Sequence, residues 1–302
     1  MSVLIHAVSI GSGPVIPSPV TVRTFDVRRD RLLPYTLELD AQTAWDAVVT
    51  WDNRALLAAE QRQLGLYDLA TGEPLRAELF EATDAIGAIG VHPGGRLAAL
   101  AVDGGTIEVI DLTTGQLVET LDPGEGFRER LPFSQLTFAP NGKWLAAATY
   151  SGQIILWDAR SWQQHSTREA VAGFAVGSLG FTPDSELLIV GGAGTASIWS
   201  VEQSANGGAR LDVDPLRPEA DVSVGTRDGG RTVVTFTEGT GVREWTIASE
   251  RLLEHACTVA GRNLTQEEWD RLLPHRPYEP TCPKWGEGDQ TPTGMLTRLR
   301  NS

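Results

Sequence analysis

The sequence predicts an all-β protein of six repeated units followed by a short helical tail, and two repeated signals support this prediction. The first is a β-type run that ends in an aromatic or aliphatic residue followed by Asp, Ser or Thr. It recurs at steps of 42, 43, 47, 42 and 46 residues. The endings are Phe25-Asp26, Tyr67-Asp68, Ile110-Asp111, Trp157-Asp158, Trp199-Ser200 and Trp245-Thr246. The second signal is a polar turn, about twenty residues before most endings, that is followed by an apolar run.

The fourth unit shows how each repeat is built. Gln135–Phe138 and Trp144–Thr149 have the composition of strands and are separated by a Pro-Asn-Gly turn, and Gln153–Trp157 forms the third strand. Pro, Asn and Gly supply the preset or positive φ that such turns need. Four-stranded units of about 40–45 residues are typical of the blades of a β-propeller. We therefore predict a propeller over 1–250, with units near 3–40, 41–80, 84–121, 133–170, 176–212 and 220–250.

This pattern resembles the WD-repeat family, whose blades have the same length and turn order. Only Trp157-Asp158 carries the literal signature, and the Gly-His pair of the family is absent from every unit. The resemblance implies a propeller whose repeat-equivalent residues are structural. In this sequence those positions are Asp26, Asp68, Asp111, Trp157, Asp158, Trp199 and Trp245.

The first unit is expected to be degenerate. Aligned 42 residues upstream of the second unit, its second strand falls on Pro14–Pro19, where three prolines cannot donate to a ladder. The chain is therefore expected to begin at the first strand of a blade. Two alternatives remain: six blades close as they stand, or the chain is the carboxy-terminal part of a larger propeller.

After Ile247 the repeat stops, and 251–283 has a helical pattern. Thr265-Gln266-Glu267-Glu268 is a capping box, in which the Thr hydroxyl and the Glu carboxylate each accept from the other residue's amide. Trp269 lies on the apolar face of this short helix, which is marginal alone. We expect the tail to pack on the last blade and 284–302 to be a flexible C-terminus.

The tail also resembles the carboxy terminus of bacterial WD-repeat sensor regions that are fused to STAND-type signalling NTPases. The shared features are Cys257, the turn Gly261-Arg262-Asn263, the capped Trp269 helix and Cys282. The resemblance implies a sensor or interaction platform. Two reduced thiols fit a cytoplasmic protein best, and a disulfide across the tail is the alternative.

Composition narrows the classes of function. The formal net charge of −14 argues against a nucleic-acid or anionic-membrane partner, because phosphate binding needs clustered positive charge. No basic, apolar leader and no apolar run approaching about 18 residues is found. These features predict a cytoplasmic location.

Candidate partner-binding residues lie in the connections between blades. The loop 122–132 is long and contains Phe127, Arg128 and Arg130, and Trp45 is set apart from the repeat positions. In a propeller, connections from an outer to an inner strand lie on the ligand-bearing face, and aromatic and Arg side chains dominate binding hot spots. An ordinary solvated loop is the alternative.

The competing function is a metal-dependent, lactonase-like propeller hydrolase. That chemistry needs carboxylates, amides or His side chains from several inner strands converging on the central channel. Inner-strand segments such as Gly87–Val91, Gln135–Phe138 and Ser178–Phe181 supply hardly any. We therefore predict no catalytic residue, metal or cofactor, and a non-enzymatic scaffold that binds protein partners in a bacterial signalling assembly.

Overall fold

The computed structural model describes the backbone of most of the chain. The described residues are 4–5, 20–26, 31–39, 44–52, 54–124, 133–169, 175–202, 209–217, 219–248, 257–258, 261–272, 276–280 and 282. Side chains are described from Asp46 onward, with the exception of Leu272.

The described residues form six antiparallel sheets in chain order. The first two contain β1 (Leu4–Ile5), β2 (Val20–Asp26), β3 (Arg31–Leu39), then β4 (Ala44–Val49), β5 (Ala55–Glu60), β6 (Gln63–Asp68) and β7 (Pro74–Glu81). The third and fourth contain β8 (Ile86–Val91), β9 (Leu97–Val102), β10 (Ile107–Asp111), β11 (Gln116–Leu121), then β12 (Phe133–Phe138), β13 (Trp144–Thr149), β14 (Gln153–Asp158) and β15 (Gln164–Glu169). The last two contain β16 (Ser178–Phe181), β17 (Leu187–Gly192), β18 (Thr195–Ser200), β19 (Ala209–Asp212), then β20 (Ser223–Arg227), β21 (Thr232–Thr237) and β22 (Gly241–Thr246).

Sheets two to five each have four strands in simple up-and-down order, as a propeller blade requires. The all-β propeller with six repeated units and a helical tail is therefore confirmed. Strands that follow one another in sequence pair with each other. Polar turns that contain Gly or Asp lie between these short strands, and they let the chain reverse direction, which explains the up-and-down order.

The alternating direction of the side chains along the second strands explains why the sheets pack face to face. Leu145 and Ala147 of β13 lie in one buried cluster with Ala99 and Ala101 of β9. Residues of opposite parity on β13, among them Ala146, lie in another cluster with Leu188 and Val190 of the fifth sheet. Because successive side chains point to opposite faces of a strand, an unbroken apolar run supplies both interfaces.

The first sheet differs from the expectation. β1 pairs directly with β2, with Leu4 opposite Phe25, so β1 occupies the position that the second strand holds in the complete sheets. The expectation that the chain begins at the first strand of a blade was therefore wrong. The proline-rich segment 14–19 lies outside the described residues.

The chain forms two compact units. One comprises 1–230 with 234–243, and the other comprises 231–233 with 244–302. The predicted domain boundaries near residue 250 stay a prediction, as does the packing of the tail on the last blade.

In the second unit, helix α1 (Gln266–Leu272) begins with the predicted capping arrangement. The Glu268 amide donates to Thr265 Oγ1 at 3.2 Å, and the Thr265 amide donates to Glu268 Oε2 at 2.9 Å. Cys257 and Thr258 are also helical, whereas most of the first predicted tail helix and residues 284–302 lie outside the described residues.

Cys257 and Cys282 form a disulfide with their Cα atoms 5.4 Å apart. The preference for two reduced thiols was therefore wrong in this structure. Sequence spacing could not decide the pairing, because it depends on how the chain folds back after α1. The Tyr278 hydroxyl donates to the Leu264 carbonyl at 2.9 Å, and the Cys282 amide donates to Asn263 Oδ1 at 2.6 Å.

The Arg262–Glu268 ion pair lowers the pKa of a carboxyl group in the second, C-terminal unit. Two hydrogen bonds from the Arg262 guanidinium, of 2.7 and 2.8 Å, and one from the Thr265 amide lower the pKa of Glu268 from 4.5 to about 2. A depressed folded-state pKa stabilises the fold above pH 4.5, and this stabilisation is lost as the pH falls toward 2.

We therefore expect the unit to unfold more easily as the pH falls from 4.5 to 2 and Glu268→Gln to flatten this dependence. Hydrogen exchange of α1 amides, corrected for the intrinsic pH dependence of exchange, measures it. An unchanged pH slope in the variant would rule out Glu268 as the titrating group. Glu267→Gln, at an exposed position on the same helix, is the matched control.

Candidate functional site

The described side chains of the repeat aspartates cap turns and already accept hydrogen bonds from backbone amides. Asp68 Oδ1 accepts the amides of Ala70 and Thr71 at 2.8 and 2.9 Å, and Asp158 Oδ1 accepts those of Arg160 and Ser161, both at 2.9 Å. These backbone hydrogen bonds lower the pKa of both carboxyls. Their geometry is that of a structural turn between the third and fourth strands.

Asp111 occupies the same position in the third sheet. It accepts the Thr113 amide at 2.8 Å and the Arg96 guanidinium at 2.7 Å, and the Arg96 hydrogen bond lowers its pKa. Asp26 lies at the end of β2, and its side chain lies outside the described residues. Among the repeat tryptophans, Trp157 is fully buried, whereas Trp199 and Trp245 are half-buried.

His92 is half-buried in the turn between β8 and β9, at the same edge of the sheets as the repeat aspartates. Its Nδ1 accepts the Gly94 amide at 3.0 Å, and its Nε2 lies 3.2 Å from the Gly142 carbonyl in the next sheet. Gly142 has φ of 69°, and a Cβ there would lie 2.6 Å from the imidazole. Turns of adjacent sheets are therefore joined here by close contact.

The opposite edge of the sheets carries the loops that can contact a partner. We call it the connection face, and it comprises residues 61–62, 82–85, 103–106, 122–124, 150–152, 175–177, 193–194, 213–217, 219–222 and 238–240. Some of the described connections into a sheet are hydrogen-bonded to a turn between a second and a third strand. Examples are the Ala82 amide to the Arg62 carbonyl and the Gly194 amide to the Ala220 carbonyl, both at 2.8 Å.

The side chains of the predicted partner-binding residues lie outside the part of the chain that the structure describes. Trp45 is the second residue of β4, and its side chain lies outside the described residues. Phe127, Arg128 and Arg130 also lie outside the described residues. All four stay predictions.

Sequence reasoning missed the connection 213–217, which is held in place by its own hydrogen bonds. The amides of Val213 and Asp214 both donate to the Gly194 carbonyl, at 3.0 and 2.7 Å. The Arg217 amide donates to the Asp214 carbonyl at 3.1 Å, and its guanidinium donates to Asp214 Oδ2 at 3.2 Å. A Cβ at Gly239 would overlap this guanidinium, so the arginine lies directly against the neighbouring turn.

This fixed loop presents Leu216 to solvent. Leu216 is 90% exposed, the highest value among the exposed large apolar residues of the described chain, and Tyr150 on the same face is 56% exposed. Water around such a side chain is released when a partner covers it, and a loop that is already ordered loses little entropy on binding. The sequence signal was available, since Leu216 stands between Pro215 and Pro218 in a turn-forming segment.

Charge on the connection face is mainly negative. Among its described residues, the exposed acidic side chains are Asp84, Asp122, Glu219, Asp221 and Glu238. The exposed basic ones are Arg62 and Arg217, which form ion pairs with Glu81 and Asp214 at 3.2 Å. The described part of the face therefore combines exposed apolar side chains with mainly acidic charged ones.

Half-buried Asp46 and buried Glu108 each accept a backbone amide. Asp46 on the inner strand β4 accepts the Ile89 amide of the next inner strand at 2.8 Å, and buried Glu108 accepts the Thr83 amide at 3.2 Å. Within the part of the chain that the structure describes, no group of three His, Cys, Asp or Glu side chains is placed to hold a metal ion. No described helix is long and apolar enough to cross a membrane.

Comparison with known proteins places the chain among β-propellers. It resembles a computationally designed protein, Ika8, with 18% identity, a TM-score of 0.57 and coverage of 76% of this chain and 66% of that one. It also resembles a chain of the Mitotic Checkpoint Complex, with 18% identity, a TM-score of 0.62 and coverage of 78% and 71%. At this identity the similarity shows the fold alone, and no curated protein sequence matches.

A family model, described as the N-terminal domain of nucleolar protein 10-like proteins, matches residues 47–238. This range extends from within β4 to the turn after β21, so it contains the third, fourth and fifth sheets completely and most of the second. The resemblance to WD-repeat propellers is therefore confirmed at the level of a WD40-like fold. This chain belongs to the family of β-propeller domains represented by the N-terminal domain of nucleolar protein 10-like proteins.

Proposed function

We propose that this chain is a non-enzymatic scaffold that binds a protein partner through the connection face. The observation that carries the proposal is the fully presented Leu216 on a loop fixed by hydrogen bonds to Gly194 and Asp214. Ordered apolar side chains act as anchors when they enter a pocket on a partner. The mainly acidic charge of the described part of the face favours a partner whose pocket is bordered by Lys and Arg.

Leu216→Asp is expected to reduce partner affinity by at least about tenfold, because an apolar anchor is replaced by a charge that must be desolvated. The tagged chain is used to capture partners from its host, and each partner identified by mass spectrometry is purified and titrated against the variants by calorimetry. Leu117→Asp is the matched control, since Leu117 is 49% exposed on the outer strand β11 and away from the connection face. Equal affinities for both variants would exclude Leu216 as the anchor.

The more specific proposal is a role in a bacterial signalling assembly with a STAND-type NTPase. Its support is the resemblance of the tail, with Cys257, the capped Trp269 helix and Cys282, to the termini of such sensor regions. Trp45, Phe127, Arg128 and Arg130 are further candidates for the contact. Titration of a purified STAND-type NTPase with the wild-type chain and a four-alanine variant tests this, and no binding to the wild-type chain would reject it.

A cytoplasmic location remains part of this proposal and conflicts with one observation. Disulfides are uncommon in a reducing cytoplasm, whereas Cys257 and Cys282 are bonded in the structure. Alkylation of thiols in intact cells before lysis, followed by mass spectrometry of the tail peptides, measures which state exists in the host.

The competing hydrolase function has no support from the comparisons.

A further inference from the structure

The described residues between 257 and 282 of the C-terminal unit include helix α1 and the disulfide. Among the described residues from 257 to 282, the buried apolar side chains are Cys257, Trp269 and Cys282, and two of these three belong to the disulfide. Helix α1 has 7 residues, a length that is marginal in water without tertiary contacts. Among the described residues, the disulfide therefore supplies much of what holds the segments before and after α1 together.

The disulfide joins Cys257, which precedes α1, to Cys282, which follows it. After α1, the Trp269 indole N–H donates to the Arg276 carbonyl at 2.9 Å. The Cys282 amide donates to the buried Asn263 side chain at the turn before the helix. Without the cross-link, these few contacts must hold a segment whose chain entropy rises when it is released.

We propose that the C-terminal unit is a redox-dependent fold, closed while Cys257 and Cys282 are bonded and open when they are reduced. The cross-link spans a sequence separation of 25. Because a closed loop of this length restricts the unfolded chain, it shifts the folding equilibrium toward the folded state by a factor of about 300. Reduction removes this factor, and the described hydrogen bonds and the packing of Trp269 must then hold the segment alone.

The reductant is a dithiol. Its thiolate attacks one sulfur of the disulfide to form a mixed disulfide, and its second thiol then displaces the protein sulfur. The dithiol supplies two electrons and two protons and becomes a cyclic disulfide, while Cys257 and Cys282 become thiols. Because both cysteines are buried, attack follows a local opening of the unit, and reduction then keeps it open.

Hydrogen exchange of the full chain, measured by mass spectrometry with and without dithiothreitol, tests the proposal. We expect amides of α1 and of 276–280 to exchange at least about 100-fold faster after reduction, since the entropic restraint is lost. Amides of β13 and β17, in the propeller, should be unchanged and show that the chain stays folded. A double variant, Cys257→Ser with Cys282→Ser, should exchange rapidly with or without dithiothreitol.

Two outcomes would overturn the proposal. One is protection of α1 that stays within about threefold after reduction and in the double variant, because the contacts alone would then hold the unit. The other is a thiol titration that finds both cysteines free in chain purified without reductant while α1 is protected.

Discussion

Leu145→Ala is expected to destabilise the propeller by about 3–5 kcal/mol. Leu145 is fully buried on β13, where it packs with Ala99 and Ala101 of the preceding sheet and lies opposite Trp157 in its own sheet. Truncation loses the transfer free energy of the side chain. It also leaves a cavity, because the surrounding sheets can move only partly into the space. For a unit of this size we expect a fall in Tm of roughly 6–15 °C.

The measurement is calorimetric or denaturant unfolding of Leu145→Ala beside Leu117→Ala. Leu117 is 49% exposed on β11, so its truncation should change stability by no more than about 0.5 kcal/mol. Similar losses for the two variants would contradict the account of the core as a series of interfaces between sheets.

Trp269→Ala is expected to cost the C-terminal unit about 3–5 kcal/mol. Trp269 is 5% exposed, and its ring packs edge-on against Tyr278 with centroids 5.5 Å apart. Its indole N–H also donates to the Arg276 carbonyl, so the variant loses apolar burial and leaves a carbonyl without its partner. Trp269→Phe should cost less, since most of the packing remains.

Hydrogen exchange of α1 amides measures this loss, with Arg271→Ala on the exposed side of the same helix as the control. The same experiment tests whether the tail packs on the last blade. If it does, faster exchange in Trp269→Ala should extend to β22. Unchanged exchange of α1 in the variant would show that Trp269 does not hold the unit together.

Local patterns in the sequence determined most of the propeller. The period of 42–47 residues, the turn residues and the apolar runs predict the sheets because turn geometry and strand alternation act over a few residues. The capping box at Thr265 and Glu268 is equally local, since both hydrogen bonds close within one helical turn.

Only the tertiary structure decided the features that join distant residues. The Cys257–Cys282 disulfide depends on the path of the chain around α1, and the pairing of β1 with β2 depends on which strand reaches β2 across an intervening segment. The contact of His92 with Gly142 likewise requires two sheets to lie side by side. The number of residues between two positions does not determine their distance in the fold, so the sequence could not predict these contacts.

The candidate site divides in the same way. The sequence predicts that the connections between outer and inner strands are the surface for a partner, because strand order alone places them at one edge, and this stays a prediction. Leu216 became a candidate only when the structure showed a leucine held out in solvent by Asp214, Gly194 and Arg217. The type of an apolar residue in a turn does not reveal whether its side chain is buried or exposed, because the surrounding fold determines the burial.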